Sequence, residues 1–207
     1  MDYRKIISWI SLAAALAGGF VISPPAAGAA SVAAAKKKIV VTSTAFKNGG
    51  KLPVKYAYSP DVPGGENMSI PLAWTVAKKT APKIKSFAIS IIDLHPVAEK
   101  CVHLLVINVP PETRAIEEGA LTGYASVPPG TQQLKNCFGE LGYLGPDPPP
   151  GSGDHTYDIT VYGLSVAAFP GINMDNAMDK QYGADEFQKM LRGKVVAKGK
   201  LKAKFGL

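Results

Sequence analysis

Four side chains in this 207-residue chain have the types and placement to act together: Asp93, His103, His155 and Tyr157. Each belongs to the apolar face of a strand-like run. In residues 85–94 Phe87, Ile89 and Ile91 lead to Asp93; in residues 101–109 one face reads Cys101, His103, Leu105 and Ile107; in residues 155–164 one reads His155, Tyr157, Ile159 and Val161. Imidazoles and a phenol can donate hydrogen bonds to phosphate or carboxylate oxygens, and Asp93 can orient one histidine or pair with an ammonium group. Such a set would form a small pocket able to hold an anion or a polar head group. Taken singly, each residue has a plainer use. Asp93 can end a strand in a turn, His103 can be a satisfied core histidine, and His155 can bond a loop carbonyl.

Two histidines and an aspartate can also form a metal facial triad or an acid/base set, which would make metal-assisted hydrolysis the competing chemistry. The sequence has no His-Glu-x-x-His motif, no Gly-x-Ser-x-Gly elbow, and no serine or cysteine with an evident adjacent base. These absences favour a binding module over an enzyme and call for no metal or cofactor.

The element that must aim these groups is the loop GYLGPDPPPGSGDHTY of residues 142–157. Its prolines fix φ and withhold donors, and its glycines allow positive φ, so the backbone is set for close approach before a strand begins at His155. At this point the chain resembles the phosphatidylethanolamine-binding proteins, in particular their bacterial branch named for similarity to Raf kinase inhibitor protein. The resemblance runs over residues 38–207. It rests on GENMSIPLAW at 65–74, DLHP at 93–96, VHLLVIN at 102–108, and the Asn136-x-Phe138-Gly139, Gly-Tyr-x-Gly-Pro-x-Pro-Pro and His-x-Tyr run within 136–157.

The resemblance implies a mainly β fold, an antiparallel β-sandwich with a large central sheet, a smaller sheet packed on it, and one or two short C-terminal helices. It implies an anion pocket lined by Asp93, His103, His155 and Tyr157, with Gly145, Pro146, Asp147, Pro148 and Pro149 as its lip. Three departures stand out. Leu94 and His95 replace the family's Pro and second Asp, Thr156 replaces its Arg, and Asp147 stands where a small residue is usual, where a carboxylate would repel a bare phosphate. The family also places the Cys137 loop beside the pocket, so a Cys101–Cys137 disulfide would tether that loop. In an exported protein this pairing is favoured over two buried thiols. Inhibition of a protease or another protein partner through surface loops is the family's second implied role.

Residues 1–35 have a basic start (Arg4, Lys5), an apolar stretch from Ile6 to Ile22, and then Ala27-Gly28-Ala29 and Ala33-Ala34-Ala35. That is the pattern of a cleaved secretory signal, interrupted by Gly18 and Gly19 and shorter than the roughly 20 residues of a membrane span. A periplasmic or secreted product follows, with residues 36–207 as one domain. The net charge is +7. Much of it lies in Lys198, Lys200, Lys202 and Lys204, which alternate with small or apolar residues in a strand reading as a solvated, lysine-guarded sheet edge. With three arginines in all, nucleic acid is not an expected partner, and attraction to anionic lipid is at most weak. Further strands are expected at 38–44, 86–94, 101–109 and 156–164. A helix is expected at 184–192, where acids come first, Phe187, Met190 and Leu191 share a face and Gly193 stops it, and a second helical turn is expected from Asp175.

Overall fold

A computed structural model describes residues 38–58, 61–123, 127–172 and 179–207. The expected signal segment and the turn from Asp175 lie outside the described residues. Among the described residues nine strands form two sheets. β1 (Ile39–Thr42), β3 (Leu72–Val76) and β6 (Ala115–Ile116) make the smaller one, in the order β1-β3-β6. The larger is built from β2 (Gly50–Lys51), β4 (Ser86–Asp93), β5 (Val102–Val109), β7 (Gln132–Leu134), β8 (His155–Leu164) and β9 (Val195–Phe205), in the order β2-β9-β8-β4-β5-β7. One α-helix, α1 (Ala184–Leu191), is present among the described residues. It carries Asp185 and Glu186 in its first turn and is followed by Gly193 at φ +75°.

The main core fills the space between the sheets. Ile39, Val41, Leu72 and Trp74 of the small sheet pack on Phe87, Ile89, Ile91, Ile159 and Val161 of the large one. The opposite face of the large sheet is also apolar at its centre, because Phe187 and Leu191 of α1 cover Leu105, Ile107, Tyr162 and Leu164. This explains why β4 and β5 read as nearly continuous apolar runs. Both of their faces are covered.

Two expectations are corrected. β9 alternates with its lysines outward as expected, but it is not a bare edge: β2 pairs with its C-terminal part in parallel, Gly50 opposite Ala203 and Lys51 opposite Lys204. Farther back, the missing side chain of Gly199 admits the Ile39 carbonyl, which an added Cβ would meet at 2.7 Å. The second correction concerns β5. Its register against β4 shifts between the pairs Ile91–Leu104 and Ile92–Val102, so His103 is an extra residue in the strand. This β-bulge reverses the alternation. Leu105 and Ile107 therefore face α1, while His103 and Leu104 both turn to the other side, and Leu104 joins the inter-sheet core.

Candidate ligand-binding pocket

The strand ends converge as register requires. Asp93, the last residue of β4, pairs with Tyr157 of β8, and the bulge brings His103 beside them, its ring edge-to-face with Tyr157 at 5.1 Å between centroids. All four side chains are buried: Asp93 is 3% exposed, His103 5%, His155 1% and Tyr157 1%. They line one pocket of about 180 Å³ together with Val97, Ala98, Cys101, Phe138, Leu144, Gly145, Asp147, Pro148 and Pro149.

Several polar atoms at its base are already engaged by the protein. Asp93 accepts from the His95 amide through Oδ1 (2.8 Å) and lies 2.5 Å from His155 Nδ1 through Oδ2. His103 Nδ1 lies 2.9 Å from the Leu144 carbonyl, and since a carbonyl only accepts, that nitrogen carries the proton. Burial holds the His103 pKa below the usual histidine range, opposed by the Leu144 hydrogen bond and the Asp93 charge. The neutral ring then presents a lone pair at Nε2. Tyr157 Oη is buried and meets no partner at ordinary hydrogen-bond distance and angle; burial first, and then the charge and close approach of the Asp93 carboxylate, raise its pKa far above that of a free phenol, so it remains a donor that Asp93 engages only loosely.

The lip is held by residues from far earlier in the chain. Asn67, at φ +50°, accepts the Gly145 amide through Oδ1 at 2.6 Å and donates to the Tyr143 carbonyl at 3.4 Å. The Tyr143 hydroxyl donates to the Tyr56 carbonyl at 2.9 Å. Gly145 is pressed so closely on residues 57 and 58 that a Cβ would lie 2.5 Å from Tyr58 N. Pro146 departs from the expectation. It is buried and does not line the pocket; its carbonyl accepts the Tyr58 amide at 2.9 Å, so it anchors the lip from behind. Asp147 is exposed at the mouth, and partial burial together with Asp61 raises its pKa.

Cys101 and Cys137 are bonded, with Cα atoms 5.4 Å apart. The link joins the pocket wall at the start of β5 to the loop whose next residue, Phe138, is exposed and lines the mouth. Sequence reasoning did not find Asn67, Phe138, Val97 or the contact of Ser152 Oγ with His155 Nε2 at 2.9 Å. Asn67 did lie in the GENMS block, and an asparagine just after Gly64-Gly65, a residue type that tolerates positive φ, was the available signal.

Two packed β-sheets with a small, part-polar pocket at the ends of three strands define a ligand-binding β protein. The model of the phosphatidylethanolamine-binding protein family matches residues 42–206, and the chain belongs to that family. It is 31% identical over 159 residues to a UPF0098 protein of Methanothermobacter thermautotrophicus, covering 76% of this chain and 91% of that one. To the UPF0098 protein YbhB of Escherichia coli it is 32% identical over 125 residues, 60% of this chain and 77% of that one. To the putative lipoprotein LppC of Mycobacterium tuberculosis it is 30% identical over 125 residues, 60% and 55% of the two chains. The crystal structure of E. coli YbcL, described as a new member of the mammalian PEBP family, matches with a TM-score of 0.70 at 25% identity, covering 82% of this chain and 99% of that one.

Proposed function

We propose that this chain is an exported binding protein whose pocket takes a small phosphorylated or zwitterionic head group. The observation that carries the reading is the buried, loosely held Tyr157 hydroxyl beside the His103 ring, since a buried donor without a full hydrogen bond in the protein is best accounted for by a ligand atom. Tyr157 supplies a donor to an anionic oxygen. His103 Nε2 accepts from a protonated phosphate oxygen or an ammonium group, and Asp147 adds a negative charge at the mouth where the cationic end of a zwitterion would emerge. A volume near 180 Å³ is below the ~300 Å³ of sites for drug-sized molecules. It suits a head group and leaves no room for acyl chains.

Export is supported by the basic-apolar-small pattern of residues 1–35, by the lipoprotein name of the M. tuberculosis relative, and by the Cys101–Cys137 link. The binding test is a titration with inorganic phosphate and with phosphoethanolamine, followed through the imidazole NMR signals. Saturable shifts at His103, weakened about tenfold or more in Tyr157→Phe, are the expected result for a hydrogen bond to a charged group. No shift at millimolar ligand, or an unchanged affinity in the variant, removes the reading.

A further inference from the structure

Beyond its place in the pocket, the His155 ring links two other groups in a line. Its Nδ1 lies 2.5 Å from Asp93 Oδ2, and its Nε2 lies 2.9 Å from Ser152 Oγ. The line is braced: Asp93 Oδ1 is held by the His95 amide at 2.8 Å, and the His95 ring stacks on His155 with centroids 3.9 Å apart and planes 13° from parallel. A buried carboxylate orienting an imidazole that in turn reaches a hydroxyl is the arrangement that activates serine, and it is recognised by geometry and not by order in the chain. We propose that Ser152 is a reactive nucleophile, with His155 as its general base and Asp93 orienting that base, and that it is open to acylation by small esters.

The local backbone fits this use. Ser152 sits between Gly151 at φ +81° and Gly153 at φ +83°, and an added Cβ at either glycine would meet nothing within 4 Å. The hydroxyl is therefore flanked by bare backbone on both sides, with room for an acyl carbon. The Gly153 amide has no hydrogen-bond partner among the described residues. It belongs to the residue after the nucleophile, the position that supplies an oxyanion donor in serine elbows. The two groups that hold the hydroxyl, His155 and the Pro149 carbonyl at 2.6 Å, belong to residues lining the pocket, so Ser152 stands at its margin.

Ser152 has one proton and two acceptors. When the proton is given to Pro149 and His155 Nε2 is itself protonated, the serine oxygen accepts and is inert. When the imidazole is neutral, with its proton on the Asp93 side, Nε2 takes the hydroxyl proton and Oγ becomes the attacking atom. Oγ then bonds to the ester carbonyl carbon, the proton passes to Nε2, and His155 returns it to the departing alkoxide as the C–O bond breaks. Water repeats the sequence on the acylated serine and releases the acid, with no change of oxidation state and no further reactant.

The hydrogen-bonded line shares Asp93 and His155 with the pocket lining but does not depend on phosphate binding, and its test uses no phosphate ligand. The full chain is incubated with an alkyl fluorophosphonate, whose P–F bond breaks as the Ser152 O–P bond forms, and the product is examined by intact mass and peptide mapping. One adduct at Ser152 is expected, absent in Ser152→Ala and formed at least ~100-fold more slowly in His155→Gln. No adduct at Ser152, or equal labelling of folded His155→Gln, overturns the proposal. If His155→Gln does not fold, release of p-nitrophenol from p-nitrophenyl acetate decides between the unmutated protein and Ser152→Ala, whose lost hydroxyl is only half-buried. Faster release by the unmutated protein upholds the relay, and equal rates overturn it.

Discussion

His103 is the residue whose protonation the fold opposes most directly, and that has a measurable sign. Its pKa is lowered by burial from 6.5. As pH falls through that range the unfolded chain takes a proton that the folded chain resists, so stability rises with pH across the window below ~6.5 and is level above it. Thermal melts between pH 5 and pH 8 should show this loss on the acid side, and His103→Gln should flatten it; an unchanged acid slope would count against the assignment. Asp147 has the opposite consequence for ligands. Replacing it by Asn removes a charge from the mouth, so phosphate should bind about fivefold more tightly, on the order of 1 kcal/mol for a solvated charge pair, while the preference for phosphoethanolamine over phosphate narrows. Isothermal titration with both ligands reads this directly. Asp93, His103, His155 and Tyr157 were legible in the sequence because each is a polar residue on an otherwise apolar face. The partner of His155 was not, because which atom meets Nε2 depends on two left-handed glycines in the turn around Ser152, a conformation that residue type permits but does not dictate.

Elements decide where those residues point. The bulge at His103 is the clearest case: strict alternation placed His103 with Leu105 and Ile107, and one inserted residue sends those two to α1 and His103 to the pocket. A bulge leaves no reliable mark in a single sequence, since Val-His-Leu-Leu-Val fits both registers. The long strands β4, β5, β8 and β9 and the helix were readable within a residue or two, while β2, β6 and β7, two or three residues each, were not, because their pairing is set by neighbours and not by a pattern of their own. The lip is an element held from outside, and Gly145→Ala tests it. The added methyl would press on backbone at 2.5 Å, so a loss of about 2 kcal/mol or more is expected in denaturant unfolding, as for an overpacked core position, with weakened ligand binding alongside. Asn67→Ala should leave the strands in place yet release the Gly145 amide, reducing ligand affinity more than stability. Equal melting and equal affinity to the unmutated protein would show that the lip needs no clamp.

At the scale of the molecule, the disulfide and the strand order fix how the parts depend on one another. The Cys101–Cys137 link spans a sequence separation of 36, which corresponds to roughly 3 to 4 kcal/mol in the chain-entropy account. Reduction should therefore lower the melting temperature by roughly 10 °C for a chain of this size, and an unchanged melt would show that the link serves only to hold the Phe138 loop. The large sheet carries a further dependence. β9, the last element in chain order, lies between β8 and β2, so the segment near Gly50 has no strand to pair with and β8 keeps an unmatched side until residues 195–205 arrive. On a ribosome that delivers the chain from its N-terminus, β2 and the outer side of β8 must wait for β9, while β1-β3-β6 and β8-β4-β5-β7 have their partners before it. Until β9 arrives, β8 presents a row of unpaired backbone groups, a surface that a chaperone can bind or that can pair wrongly with another chain, so the vulnerable interval of synthesis is the one before residues 195–205 emerge.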